Sequence, residues 1–527
     1  MFDLLFQNVK MFDGSGKDAG KCCDVAVSGD KIAAVGDIPA TAAQKVIDCT
    51  GLCMIPGMID VHTHSDFALF TAPGREAALM QGVTTEIISA CGIGPVPLSG
   101  REKKEYLGLM AGIFGDVPTQ VDTRSLDAYF RSLPPTGVNV AAQVGHSPLR
   151  TAALGTTADV PFTPEAAERM TSLARQAFEE GAVSVSTGMS YFPAAFCDYA
   201  ELLGLAKAAA EYDAPMTVHR RDEFRRPMPG FDSREEVLSL ARDSGAKLVF
   251  SHFRTGSTTA GHPETVCDWL EKGIADGLRV YADFYPYACG STTLVHFLPF
   301  YAMQGGYDGI LSFLRNPQKF EALVRRMQGY NRGNMGELLA YCPPHPEYLG
   351  MTINEIAAAR GVEPERAAAE LLRDSRLHGC CVGGTGTTPE INEVLNRDFA
   401  YFMTRPYYNV GSDTITSNPW PHPRSYGAFA KALRIALDCG TGLSAFAACT
   451  AGNAAKLYNL KNRGIIREGY FADLCVFDEK AVGPKSEYRA PKQYAEGVKF
   501  VTVNGKLAVS DGKITGARAG CPLRRGI

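Results

Sequence analysis

Ile55-Pro-Gly-Met-Ile-Asp-Val-His-Thr-His-Ser-Asp66 is an apolar run around a Pro-Gly turn that ends in two histidines. Alternate side chains of a β-strand share a face, so His62 and His64 project together from a strand end. Two neutral imidazoles on one face make half of a zinc site. The motif alone is weak, because two surface histidines in a loop would read the same way. Four further strand ends add weight. Thr85-Glu-Ile-Ile-Ser-Ala-Cys91 puts a cysteine just past an apolar strand, Val218-His219 and Phe250-Ser-His252 end in histidine, and Asn409-Val-Gly-Ser-Asp413 ends in aspartate. Singly, Cys91 could be a small buried residue, His219 and His252 satisfied core histidines, and Asp413 a helix cap. Together they offer four imidazoles, a thiolate and a carboxylate. That is ample for one zinc, or for two sharing a bridging ligand.

The segments between these signals alternate strand and helix. Asn139–His146 reads as a strand, and Thr163 caps a helix with Pro164 at its first position and Gly181 at its end. Strands at Ala182–Thr187, Met216–His219, Lys247–His252 and Arg279–Asp283 follow, with helices between them. This rhythm predicts a parallel sheet. Polar groups at successive strand ends place the site where a TIM-type (β/α)8 barrel carries it. The barrel is expected over residues 56–463, with a lid-like insertion rich in Tyr, Gly, Asn and Arg at about 296–344.

The two ends of the chain have a different grammar. Asp24–Gly36 is strand, Ser-Gly-Asp turn, strand; Tyr470–Asp478 is strand-like; Val498–Val509 turns at Asn504-Gly505. Neither end is long enough for a good core of its own. Residues 1–55 and 464–527 are therefore expected to pair into one small β-sandwich domain.

Bulk properties narrow the function classes. Of 527 residues 45% are hydrophobic and 21% charged, ordinary for a globular chain. A net charge of −4 leaves no basic excess for phosphates, which argues against a general nucleic-acid or membrane-surface binder. No apolar run reaches the ~18 residues of a membrane span, and residues 1–10 lack the regions of a signal peptide. The fifteen cysteines are odd in number and scattered, with adjacent pairs at Cys22-Cys23 and Cys380-Cys381. No disulfide framework emerges, and a reducing cytoplasm is the expected compartment.

Several segments carry a resemblance. They are Pro56-Gly-Met-Ile-Asp-Val-His-Thr-His64, Cys91-Gly-Ile-Gly94, Gly145-His146, His219-Arg-Arg-Asp-Glu223 and Ser251-His-Phe-Arg254. They continue through Asp283-Phe-Tyr-Pro-Tyr287, Gly290-Ser-Thr292, Gly411-Ser-Asp413, His422-Pro-Arg-Ser-Tyr-Gly427 and Arg463–Leu474. Over nearly its whole length the chain resembles the amidohydrolase superfamily and, within it, the N-acyl-D-amino-acid deacylases (D-aminoacylases). Many amidohydrolases bridge two metals with a carbamylated lysine, but Ser184-Val-Ser-Thr-Gly-Met189 has no lysine. The resemblance implies a cysteine in its place. Cys91 would bind a tight zinc with His219 and His252, while His62, His64 and Asp413 line a second site, weak or vacant. Asp413 would act as general base and then acid.

The same resemblance assigns the substrate α-carboxylate to Arg254, Tyr285 and Arg424. Arg424 could instead pair with a neighbouring carboxylate, and Tyr287 could make the contact in place of Tyr285. Tyr191 is expected to line the pocket, and His146 to be a supporting or core residue. The chain departs from the family at Arg254, commonly Lys, and at Phe253, commonly a second His. The expected reaction is zinc-dependent hydrolysis of a small-molecule N-acyl-D-amino acid to a carboxylic acid and a D-amino acid. Rival readings are hydrolysis of a cyclic amide or a dipeptide, and a metal-free relative serving as a scaffold. Acyl group, side chain, zinc count and oligomeric state are left open.

Overall fold

The computed structural model describes residues 1–526 apart from 158–159, 222–230, 332–334, 384–387 and 417. Asp222 and Glu223 of the quoted His219 segment thus lie outside the described residues. Eight parallel strands follow one another in chain order: β1 (Met58–Asp60), β2 (Val83–Ile88), β3 (Asn139–Gly145), β4 (Ser184–Gly188), β5 (Pro215–His219), β6 (Lys247–Phe250), β7 (Val280–Phe284) and β8 (Tyr408–Val410). The last is tied back to the first just beyond the strand ends. Asp413 N donates to His62 O at 2.7 Å and His64 N to Thr414 O at 3.0 Å. Ser412 N donates to Asp60 Oδ1 at 2.8 Å, across 352 residues of chain. Every residue of β2 and β3 is buried, as a strand covered on both faces requires. The helix Pro164–Glu179 starts as its sequence predicts, with the Thr163 hydroxyl accepting from Ala166 N and proline in the first turn.

Strands from the two ends of the chain share one nine-stranded sheet. Cys53–Pro56 pairs antiparallel with Leu474–Phe477, which joins the amino-terminal to the carboxy-terminal strands. Alternation sorts their side chains: Leu4, Phe6, Val25, Val27 and Val476 pack on one face, Leu5 and Ala26 on the other. Asn504 and Gly505 both take positive φ (46° and 75°), as the two-residue turn between Val498–Val503 and Lys506–Ser510 demands.

The insertion between β7 and β8 is larger than the expected 296–344. Its three-stranded antiparallel sheet joins Ser291–Thr293, Leu338–Tyr341 and Cys380–Val382, with helices between them. The chain returns to the barrel with helix Pro389–Met403, whose Phe399 and Phe402 lie 5.9 and 5.7 Å from Phe284 of β7. Helix Ile353–Arg360 opens with a Thr352–Glu355 capping box, and helix Pro364–Asp374 is amphipathic with proline in its first turn. Nothing local to them marks an excursion rather than a barrel helix. Among the described residues, no helix is long and apolar enough to cross a membrane.

Candidate metal centre and active site

The strand ends turn sharply at the residues singled out from the sequence. Cys91, His252 and Asp413 have φ of 54°, 40° and 52°, a region non-glycine residues rarely occupy. Such conformations persist only where the surroundings over-determine them. Around Cys91 those surroundings are visible. The Ser186 hydroxyl on β4 donates to Ser89 O at 2.6 Å and accepts from Gly92 N at 3.0 Å, bracketing the turn. Gly188, at the end of β4, lies directly beneath it: a Cβ there would stand 2.0 Å from Cys91 O. A side chain on this strand end and the Cys91 turn are thus mutually exclusive. Gly188→Ala is expected to displace the turn and lower the metal content of the purified protein by about tenfold or more, a loss typical of supports around a ligand. Metal analysis of the folded variant checks this.

The six candidate ligands converge. His62 Nε2 lies 3.1 Å from Cys91 Sγ and 3.5 Å from Asp413 Oδ1, and His64 Nε2 lies 3.2 Å from that same oxygen. On the other side, Cys91 Sγ lies 3.5 Å from His219 Nδ1 and 3.7 Å from His252 Nε2. The two sets of donor atoms share Cys91. Ligands at ~2.0–2.3 Å around a tetrahedral zinc would stand roughly 3.3–3.8 Å apart. Both thiol–imidazole separations on the His219 side fall in that range. The His219–His252 separation is shorter, 2.8 Å, at hydrogen-bond distance. His64 Nδ1 is buried without a hydrogen-bond partner. Sulfur and imidazole donors with one carboxylate suit zinc.

The electrostatics point the same way. Burial opposes charge on His62, yet Asp283, Cys91 and Asp413 outweigh it and push the imidazole pKa well up. Positive charge is thus favoured where the donors meet. Burial raises the Cys91 thiol pKa, against the pull of His62. His252 is held well below its ordinary value, first by burial and then by His219, so its ring stays neutral.

Two orienting carboxylates escaped the sequence reading. Asp283 receives His62 Nδ1 at 3.2 Å and His252 N at 2.7 Å, leaving His62 Nε2 to face the thiol. Asp60 accepts from His62 N at 3.2 Å and Ser412 N at 2.8 Å. Carboxylates that orient ligand histidines in this way are usual, and an aspartate ending a strand next to a histidine-bearing one is the available signal. Among the described residues, His146 makes no hydrogen bond to any of the six candidate ligands. It lies fully buried between Thr187 Oγ1 at 2.8 Å and Glu201 Oε1 at 2.6 Å.

Arg424, given to the substrate α-carboxylate by the resemblance, is fully buried; its Nη1 lies 2.9 Å from Asp413 Oδ2, and its guanidinium nitrogens have no hydrogen-bond partner among the described residues. Burial would raise the Asp413 carboxyl, but Arg424 and then His62 hold it well below the usual carboxylate range. Tyr287 is the alternative to Tyr285 for the substrate α-carboxylate contact. It packs edge-on against His422 at 5.2 Å, under the Lys431 ammonium, and does not line the cavity. His422 accepts from Arg424 N at 3.0 Å through Nδ1 and therefore donates through Nε2 to Cys289 O at 3.1 Å. That fixes the start of the helix bearing Arg424.

A cavity of about 920 Å³ opens onto this centre, bounded by His219, His252 and Asp413. Tyr191, Arg254 and Tyr285 line it. The Tyr285 ring is flanked by two guanidinium groups, Arg254 and Arg424, each 4.5 Å from its centroid. Tyr191 stands edge-on to His219 at 5.0 Å. Phe253 packs against Phe250 at 4.8 Å and also contributes to the wall.

Residues 45–257 match the model of an amidohydrolase family. The whole chain is 31% identical to an N-acyl-D-aspartate deacylase of Alcaligenes xylosoxydans xylosoxydans, over 98% of this chain and 93% of that one. The chain belongs to the D-aminoacylase family of amidohydrolases. Solved structures of that family superpose closely. An N-acyl-D-glutamate deacylase from Bordetella bronchiseptica, complexed with zinc and a phosphonate mimic of the tetrahedral intermediate, has a TM-score of 0.80 at 28% identity over 99% of both chains. A D-aminoacylase described by one-metal activation and second-metal attenuation of its binuclear centre has a TM-score of 0.81 at 28% identity over 100% of both. As a D-aminoacylase-family protein the chain is a metal-binding hydrolase of linear amide bonds, built on a TIM-type barrel.

Proposed function

We propose that this protein hydrolyses N-acyl-D-amino acids, using zinc held tightly by Cys91, His219 and His252. A second, weaker site is formed by His62, His64 and Asp413 around the same thiolate. The observation that carries the reading is the shared Cys91 Sγ, within 3.7 Å of imidazoles on both sides and next to His219 and His252, which line a substrate-sized cavity. Bound zinc supplies Lewis acidity to the amide carbonyl and acidifies water, whose pKa falls towards ~7 in such sites.

The chain's own residues do the rest. Arg424 keeps Asp413 ionised, so a carboxylate oxygen is ready to take the proton of the attacking water. The same oxygen then delivers that proton to the leaving nitrogen as the C–N bond breaks. Asp283 and Asp60 keep His62 oriented throughout. Among the described residues Arg254 donates to main-chain carbonyls, Thr255 O at 3.0 Å and Ala288 O at 3.2 Å, and its charge is left for the substrate α-carboxylate. Tyr285 lies beneath that guanidinium and Tyr191 walls the acyl side. Cyclic-amide hydrolysis finds no support at β4, which carries Gly188 packed under Cys91 where a bridging lysine would be needed. Fifteen cysteines with no disulfide among the described residues support a cytoplasmic setting.

The test is turnover of zinc-loaded protein on N-acetyl and longer N-acyl derivatives of D- and L-amino acids. Release of D-amino acids is expected; hydrolysis confined to cyclic amides or L-dipeptides would overturn the proposal. Arg254→Met should cost ~2–5 kcal/mol in kcat/KM on these carboxylates, typical of losing one partner of a buried charged contact. Corresponding N-acyl amino-acid amides should lose far less. Equal losses on the two substrate types would make Arg254 structural.

A further inference from the structure

The charged groups around the cavity are mostly committed. Arg221 pairs with Glu236 at 3.0 Å, and both are well buried. Arg234 pairs with Asp232 at 2.7 Å and lies 4.3 Å over the Trp269 ring. Arg220 donates to Ser233 Oγ at 2.6 Å and covers Phe253. Asp413 is taken by Arg424. Arg254 has no carboxylate within ion-pair distance among the described residues, and it serves the substrate α-carboxylate in the reading above.

Among the described lining residues one further charge has no charged partner. Glu337 lines the cavity from the insertion, immediately before strand Leu338–Tyr341. Its Oε2 is buried with no hydrogen-bond partner, and no cation pairs with it among the described residues. Burial raises its pKa, countered only by its own backbone N–H. An unpaired carboxylate in a cavity wall costs stability unless a ligand satisfies it. Arg254 and Glu337 both line this cavity, so a cation and an anion without charged partners among the described residues face the same space.

We propose that Glu337 is the specificity-determining residue of this site, and that the preferred substrate is an N-acyl-D-amino acid with a cationic side chain of the arginine, lysine or ornithine class. The proposal rests on the deacylase reading. The α-carboxylate lies at Arg254 and the side-chain guanidinium or ammonium at Glu337, so that each free charge of the wall meets its opposite. The same carboxylate disfavours acidic side chains, which are those named for the similar N-acyl-D-aspartate and N-acyl-D-glutamate deacylases. Like charges facing each other across a desolvated contact are a strong element of discrimination.

The experiment compares kcat/KM for N-acetyl-D-arginine, N-acetyl-D-methionine and N-acetyl-D-glutamate on the zinc-loaded full chain and on its Glu337→Gln and Glu337→Lys variants. Wild type should favour arginine over methionine by about tenfold or more, with glutamate poorest, in keeping with the value of a charged contact in a site. Glu337→Gln should cut the arginine-to-methionine ratio at least about tenfold, and Glu337→Lys should turn the order towards glutamate. A merely structural Glu337 would lower all three rates together and leave the ratios intact, which overturns the inference. Wild-type preference for methionine or glutamate overturns it too, while the deacylase reading stands. No turnover of any of the three D-substrates overturns both.

Discussion

Cys91→Ala is expected to yield a folded protein that keeps almost no zinc. Sγ of Cys91 is the donor common to both groups of candidate ligands, so its loss degrades each at once. Even supporting residues around a metal typically cost ~10–100-fold in affinity; a bridging thiolate should cost more. Metal analysis after dialysis should read near one zinc or more per wild-type chain and under about a tenth of that for the variant, with turnover falling in proportion. The wild-type thiol is buried, so the small cavity left by alanine should leave the barrel intact. A variant that kept both zinc and turnover would remove Cys91 from the centre and the proposed chemistry with it.

Asp413→Asn separates proton transfer from metal binding. The shape is preserved, but the oxygen can no longer accept a proton. Turnover should fall ~10²–10⁴-fold, the usual contribution of a general acid–base group, while the zinc held through Cys91, His219 and His252 is retained. Stability should fall as well. Arg424 is fully buried against this carboxylate, and removing one partner of a buried pair typically costs ~3–5 kcal/mol. A lower Tm together with retained zinc and lost turnover is the expected pattern. Near-normal turnover would show that another group moves the proton.

The strand-end residues were legible because a strand leaves a local trace: an apolar run with a polar residue at its end. His62, His64, Cys91, His219, His252 and Asp413 all carry it, and the structure brings their donor atoms together. Arg424 was legible as a functional residue but not as the partner of Asp413. A guanidinium in a sequence does not say whether its carboxylate comes from the chain or from the ligand; only the fold places Arg424 Nη1 at 2.9 Å. Tyr285 and Tyr287 differ by two residues and look equivalent, yet one lies beneath Arg254 and the other beneath Lys431. Asp283 was quoted in a motif without a role, because its partners His62 and His252 come from other strands. The far limit of the insertion was hidden for a different reason. Its later helices obey the same capping and amphipathic rules as barrel helices, so local pattern does not tell the layers apart.

The bonds that close the barrel are made by the metal-binding segments themselves: Asp413 N to His62 O, His64 N to Thr414 O, and Ser412 N to Asp60. This fixes the order of events during synthesis. His62, His64, Cys91, His219 and His252 all leave the ribosome before Asp413 does. At ~5–20 residues per second the interval from His252 to Asp413 lasts roughly 8–30 s. During that time the thiol and four imidazoles belong to an unclosed sheet that already exposes soft donors. Asp413 is the last of the six candidate ligands to be made, so in the proposed mechanism the general base joins the centre only after the thiol and the four imidazoles have emerged.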